Sequence, residues 1–125
     1  MEPRNGGSRR TGAIQALWAV EQHLRECGVE RSLIRLVQER ACQINGHDAG
    51  ADNHGRLNER ERAAVEWAEA LMQCADARVL EATSRRVRQH LTEEELINLS
   101  LAVVAMNGWN RLGLASRNGH APAAA

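Results

Sequence analysis

Apolar residues recur every three or four positions through most of the chain, which is the spacing of one helical face. Residues 13–27 and 31–44 show this pattern clearly, and turns at Gly28 and at Asn45-Gly46 end the two segments. No run of alternating β-branched residues predicts a strand. The pattern therefore predicts an all-α protein.

Two later helices are predicted from the residues that would cap them. Asn58 with Glu61 is typical of a helix N-terminus, and a helical apolar pattern follows. Thr92 with Glu95 forms a capping box that opens the last helix, which extends to residue 116. Because this helix is the most apolar, we predict that it is the most buried.

Shorter segments complete the predicted domain. A basic amphipathic stretch over 79–91 predicts a further helix. Residues 47–56 are polar and glycine-punctuated, and only the family resemblance described below makes them a helix. Residues 1–12 are predicted to form a disordered arm and residues 118–125 a flexible tail. One helical domain over 13–117 lies between them.

The composition fits packed helices. The chain has three Trp and no Phe or Tyr, so Leu, Val, Ile and Ala must fill most of its core. Sixteen basic residues, all of them Arg, balance sixteen acidic residues, which leaves no overall attraction to nucleic acid or to an anionic membrane. A net charge near zero favours self-association. The cluster at Arg85, Arg86 and Arg88 has no interleaved aromatic residues and is interpreted as a solvated helix face.

The N-terminal half contains no predicted targeting or membrane segment. Its apolar stretch is interrupted by charged and polar residues, which excludes a signal peptide and a membrane span. The three cysteines, Cys27, Cys42 and Cys74, have neither metal-ligand nor disulfide-framework spacing. We therefore predict a cytoplasmic protein with no metal and no other cofactor.

Three ordered blocks of sequence resemble one known family. In the first, 36–54, a helix ends in Gln-Ile-Asn-Gly and a histidine follows; the second, 58–71, reads NERERAAVEWAEAL; the third, 91–117, contains Asn-x-Trp-Asn-Arg-Leu. On these blocks the chain resembles the alkyl hydroperoxidase D-like, or carboxymuconolactone decarboxylase, family. The matching residues in the first and third blocks are Gln43, Ile44, Asn45, Gly46, Asp52, His54, Asn107, Trp109, Asn110, Arg111 and Leu112.

The resemblance implies a compact bundle of about six helices with the last helix at its centre, associated as a homo-oligomer: a dimer, trimer or hexamer. Peroxidase members of the family use a Cys-x-x-Cys pair, a downstream histidine and a relay glutamate. Here the cysteine positions hold His47 and Gly50, the glutamate position holds Arg35, and only His54 is retained. The segment after His54 is also shorter than in the family.

The same segment offers weak support for other chemistry. Decarboxylase-like members of the family place a carboxylate one helical turn before the histidine, and that position is again Gly50. His47 and His54 are seven residues apart, which is too far along one helix for both to reach a common metal ion. Cys42 lies on the far side of the Asn-Gly turn and is interpreted as a small buried residue.

Two functional interpretations follow. The first is a family member without peroxidase activity, either catalytically silent or acting as a small-molecule binding and assembly protein, as His47, Gly50 and Arg35 indicate. The second is an enzyme that uses His54, either an antioxidant hydroperoxidase or a decarboxylase-like lyase. A hydrogen-bonding and subunit-contact role, with a share in lining the pocket, is predicted for Asn107, Trp109, Asn110 and Arg111.

Overall fold

The computed structural model describes residues 5–46, 54–73 and 76–113. This part of the chain contains five α-helices, one short 3₁₀ turn and no strand. The all-α prediction is confirmed. In chain order the elements are α1 (Asn5–Glu26), α2 (Arg31–Ile44), the 3₁₀ turn (His54–Arg56), α3 (Glu59–Met72), α4 (Ala77–Val87) and α5 (Glu93–Arg111).

The predicted N-cap at Asn58 and the predicted capping box at Thr92 are both present, and each forms a full capping box. The Glu61 N–H donates to Asn58 Oδ1 at 2.7 Å, and the Asn58 N–H donates to Glu61 Oε1 at 2.9 Å. Thr92 and Glu95 form the same reciprocal pair, at 3.0 and 2.9 Å. Each pair satisfies two backbone N–H groups that a helix start would otherwise leave without partners.

Turn chemistry sets the remaining helix ends. Gly28 and Gly46, which follow α1 and α2, have φ of 91° and 86°, in the left-handed region that favours glycine. Asp76 caps α4 by accepting a hydrogen bond from the Val79 N–H at 3.0 Å. α4 therefore begins at Ala77, two residues before the segment predicted from the apolar pattern.

Several predicted boundaries are corrected by the structure. α1 begins at Asn5, inside the segment predicted to be a disordered arm, because extending a formed helix adds a hydrogen bond per residue without a new nucleation step. α4 ends at Val87 rather than 91, and α5 ends at Arg111 rather than 116, just before Gly113 at a φ of 70°. The predicted helix over 47–56 falls mostly outside the described residues, and its last three residues form the 3₁₀ turn. The predicted tail also lies outside them.

The core is built around α5, as predicted. This helix packs against α1, α2 and α3, and α2 also packs against α3. Trp109 is fully buried, and its ring meets that of Trp18 edge to face with centroids 5.1 Å apart. Buried alanines of α3 allow the close approach of neighbouring helices. No helix in the described part of the chain is long and apolar enough to cross a membrane.

Candidate functional site

The C-terminal end of α2, which precedes the segment leading to His54, lies against the last turns of α5. Asn45 Nδ2 donates to Asn107 Oδ1 at 3.0 Å. Cys42 Sγ donates to Asn110 Oδ1 at 3.7 Å. The structure thus brings residues of the first and third sequence blocks together, and we name these four residues (Cys42, Asn45, Asn107 and Asn110) the amide corner. The predicted hydrogen-bonding role of Asn107 and Asn110 is confirmed.

One donor of the amide corner has no acceptor. Asn110 Nδ2 is buried and has no hydrogen-bond acceptor among the residues that the structure describes. A buried donor without a partner carries an unfavourable free energy of about 1–3 kcal/mol, so an acceptor atom placed here would be stabilised. Amide groups bind and orient a ligand but do not titrate, so the three asparagines of the corner supply binding groups and no acid or base.

The thiol of the amide corner is not prepared for nucleophilic chemistry. The Cys42 side chain is 0% exposed, and burial raises the pKa of its thiol above the usual value. A thiol with a raised pKa forms little thiolate near neutral pH. Cys42 is therefore the small buried residue that the sequence predicted.

The second described cysteine lies elsewhere. Cys27 is half-buried after the end of α1, and its Sγ donates to the Leu24 carbonyl at 3.4 Å. Both Cys27 and Cys42 are free thiols. Cys74 lies outside the described residues.

The predicted site residues are only partly visible. Arg35 lies on the outer face of α2, with a side chain 54% exposed and its Nη2 3.8 Å from Glu39 Oε2. His54 begins the 3₁₀ turn, but its side chain is outside the described part of the structure. His47 and Gly50 also lie outside it. The site that the family resemblance implies at these four positions therefore stays a prediction.

One buried carboxyl group lies outside the set of predicted site residues. Glu21 is 1% exposed, and its Oε2 accepts hydrogen bonds from Trp109 Nε1 at 3.0 Å and from Gln38 Nε2 at 3.2 Å. Gln38 Nε2 also donates to the Ala102 carbonyl at 3.2 Å. An acid on the apolar face of α1, in register with Leu24, is the sequence signal that indicates this network. The network ties α1, α2 and α5 together.

A second polar network centres on Arg60 at the start of α3. Its guanidinium binds both carboxylate oxygens of Glu30 at 2.7 and 2.8 Å, and both of Glu95 at 2.5 and 3.1 Å. Nη1 also donates to the His90 carbonyl at 2.9 Å. These contacts use all five N–H donors of the arginine. Arg60 therefore joins the α1–α2 connection, α3 and the start of α5.

Electrostatics follow from this geometry. The hydrogen bonds from Arg60 lower the pKa of Glu30 from 4.5 to about 2. They also lower the pKa of Glu95, and the two carboxylates raise the pKa of Arg60. Arg60 and its two carboxylate partners are therefore all charged near neutral pH, which is typical of a structural clamp rather than a proton-transfer site.

The described residues line at least two surface clefts away from the amide corner. One, of about 190 Å³, lies between the α1–α2 connection and the start of α5; its lining includes Cys27, Glu94 and Asn98. The other, of about 180 Å³, lies between α3 and α4. Both are smaller than the roughly 300–1,000 Å³ of typical ligand pockets. Among the described residues, no three His, Cys, Asp or Glu side chains are grouped to hold a metal ion.

Comparison with known structures shows the class of fold. The crystal structure of ATU0492 from Agrobacterium tumefaciens, a protein of unknown function named as a candidate antioxidant defence protein AhpD, superposes with a TM-score of 0.72. The match covers 97% of this chain and 98% of that one, at 24% sequence identity. The chain therefore has an AhpD-like helical fold.

Comparison of sequences found a relative of uncharacterised function. The protein YdfG of Bacillus subtilis is 26% identical over an alignment 128 positions long, which covers 84% of this chain and 87% of the relative. No family model matches the chain. The similarity to YdfG extends over most of both proteins.

Proposed function

We propose that this protein is a divergent member of the alkyl hydroperoxidase D-like group that lacks thiol peroxidase activity and acts as a small-molecule binding or assembly protein. The observation that carries the proposal is the burial of the Cys42 thiol against Asn110, with a raised pKa. The sequence contains no Cys-x-x-Cys pair, and the positions that resemble it hold His47 and Gly50.

Thiol peroxidase chemistry sets two requirements. A thiolate must attack the peroxide O–O bond and become a sulfenic acid, and a second thiol must condense with it to form a disulfide. Cys42 is buried in the core, whereas Cys27 lies at the end of another helix and donates to Leu24. Cys42, buried and with a raised thiol pKa, lacks the exposed, low-pKa setting that the first step needs.

The amide corner supports binding instead. Asn45, Asn107 and Asn110 supply neutral donors and acceptors, and Asn110 Nδ2 is a buried donor without an acceptor in the described part of the chain. A small molecule with a carbonyl, carboxylate or hydroxyl oxygen would supply that acceptor. The neutral net charge and the apolar surface of α5 support assembly into a homo-oligomer. A cytoplasmic location and the lack of a metal or other cofactor are part of the proposal and come from the sequence alone.

The alternative is an antioxidant hydroperoxidase or a carboxymuconolactone decarboxylase-like lyase that uses His54. It is favoured by the AhpD-like fold and by the name given to ATU0492. The position that resembles the relay glutamate holds Arg35, so under this alternative another group would have to transfer the proton.

A peroxidase assay tests the proposal. Purified protein is incubated with an organic hydroperoxide and a dithiol, beside Cys42→Ser and Cys27→Ser variants. We expect all three to consume peroxide only at the rate of the dithiol alone. Turnover above that rate, abolished by either substitution, would contradict the proposal.

A second set of variants tests whether the chain lacks only the two cysteines or also the relay glutamate. The His47→Cys/Gly50→Cys double variant restores the nucleophile positions that the resemblance implies. We expect it to stay near background until Arg35→Glu is added, because a positioned acid or base contributes about 10²–10⁴ in rate. Full activity in the double variant would show that only the nucleophiles are missing.

A further inference from the structure

The outer face of α5 carries an exposed apolar stripe. Ile97 and Val104 are each 62% exposed, which is unusual for large aliphatic side chains, and half-buried Leu101 lies between them. Together with Glu94, Gly108 and Arg111, these positions follow one another at spacings of three and four residues, the repeat of a coiled-coil seam. We call these six residues the α5 stripe.

The two ends of the α5 stripe carry opposite charges. Glu94 lies in the first turn of α5 and Arg111 in its last turn, and both are exposed. Among the described residues, neither side chain forms an ion pair. At a rise of about 1.5 Å per residue, the two charges lie about 25 Å apart along the helix.

We propose that the α5 stripe binds the same stripe of a second copy of this chain, with the two α5 helices antiparallel. A two-fold axis midway between Leu101 and Val104 places Leu101 of each copy against Val104 of the other. The same axis places Glu94 opposite Arg111 at both ends. A parallel pairing would instead bring like charges together, so the charge pattern selects the antiparallel arrangement.

The same register places Ile97 of one copy at the junction of α1 and α5 of the other. Ile97 lies opposite Gly108, and the Leu17 side chain of α1 fills the space in front of that glycine. A Cβ at Gly108 would lie 3.0 Å from Leu17 Cδ2, which shows how closely α1 approaches α5 here. Ile97 of the second copy would therefore pack on Leu17 and the Gly108 backbone.

The charge pattern argues against a membrane as the occupant. Helices that lie on anionic membranes carry basic residues beside their apolar face. α5 begins with three consecutive acids, Glu93–Glu95, and has one basic residue, Arg111, in its last turn. A second copy of the chain satisfies both charged ends, whereas an anionic surface satisfies only one. This inference rests on the assembly part of the proposed function.

Sedimentation of the full chain over a range of concentrations tests the stripe. We expect a reversible dimer or a larger assembly built from it, and Ile97→Glu and Val104→Glu should each weaken association roughly tenfold or more. The matched control is Val79→Glu, which adds the same charge at a residue 49% exposed on α4 and should leave association unchanged.

Charge reversal tests the orientation without touching the apolar residues. Glu94→Arg and Arg111→Glu should each weaken self-association, by about two- to fivefold for each exposed pair. An equimolar mixture of the two variants should recover wild-type association, because both end pairs are then opposite in sign. Circular dichroism on each variant checks that the fold is retained.

The results distinguish the α5 stripe as the interface from the wider assembly role. A wild-type chain that stays monomeric at all concentrations would overturn both the α5 stripe and the assembly role. An oligomer that is insensitive to Ile97→Glu and Val104→Glu would overturn the stripe alone and leave the assembly role standing. Sensitivity to Ile97→Glu, with Glu94→Arg and Arg111→Glu variants that associate as well as the wild type, would overturn the antiparallel orientation, because a parallel pair already has like charges together at both ends.

Discussion

Trp109 donates its indole N–H to Glu21 Oε2 at 3.0 Å, in a part of the core where both side chains are 1% exposed or less. This contact joins residues 88 positions apart in sequence. Because Gln38 donates to the same oxygen, one carboxyl group links α1, α2 and α5.

Glu21→Ala should be strongly destabilising. The substitution leaves a cavity and removes the acceptor for Trp109 Nε1, a combination expected to lower the free energy of unfolding by about 2–4 kcal/mol. Urea denaturation measures this change. Glu26→Ala, at an exposed site on the same helix that accepts a hydrogen bond only from Gln22 in the described structure, is the control. Equal effects of the two substitutions would show that the Glu21 network is not needed for stability.

Arg60→Lys should cost stability although it keeps the charge. Lysine has three donors on a single nitrogen and cannot bind Glu30 and Glu95 bidentately, so we expect a loss of about 1–2 kcal/mol in the free energy of unfolding. Arg62→Lys is the matched control, since Arg62 is exposed on the same helix. An unchanged denaturation midpoint for Arg60→Lys would contradict the clamp described at this residue.

Acid should weaken the fold partly through Glu30. Its pKa is lowered from 4.5 to about 2, so its contribution to stability is fully present above the unfolded value of 4.5 and is lost as pH falls toward 2. Because the side chain is 50% exposed, the contribution is at most about 1 kcal/mol. Denaturation of wild type and Glu30→Gln between these pH values should give converging curves. Parallel curves would assign the acid sensitivity to other groups.

The two described thiols should differ in reactivity. In a Cys74→Ser background, a disulfide reagent should modify Cys27 readily, whereas Cys42 should react at least about a hundredfold more slowly, through opening of the fold. A further Cys27→Ser substitution should remove the fast phase. Loss of the slow phase instead would mean that the Cys42 thiol is accessible.

Features that depend on a few neighbouring residues were predictable from the sequence. The caps at Asn58 and Thr92 each lie within four consecutive residues, so the local sequence alone indicates them. The burial of Glu21 depends on donors 17 and 88 residues away, and no local pattern supplies those partners. The start of α1 was misplaced because glycine-rich residues 5–12 have low helix propensity, and helix extension overrides it.

The candidate site was predictable to a smaller extent. The sequence indicated that Asn107 and Asn110 need hydrogen-bonding partners, and it indicated a buried Cys42. It did not indicate that Asn45 is the partner of Asn107, because that pairing depends on where α2 ends against α5. The roles of His47, Gly50, His54 and Arg35 stay predictions from the family resemblance.

The reciprocal hydrogen bonds between Asn58 and Glu61 have an evolutionary consequence. Because this cap needs no residue upstream of Asn58, α3 begins at Glu59 however long the preceding connection is. Sequence can therefore be deleted from or grafted into that connection without shifting the register of α3 against the core. The segment before α3 could therefore change in length and sequence during evolution while the packing of the helices stays the same.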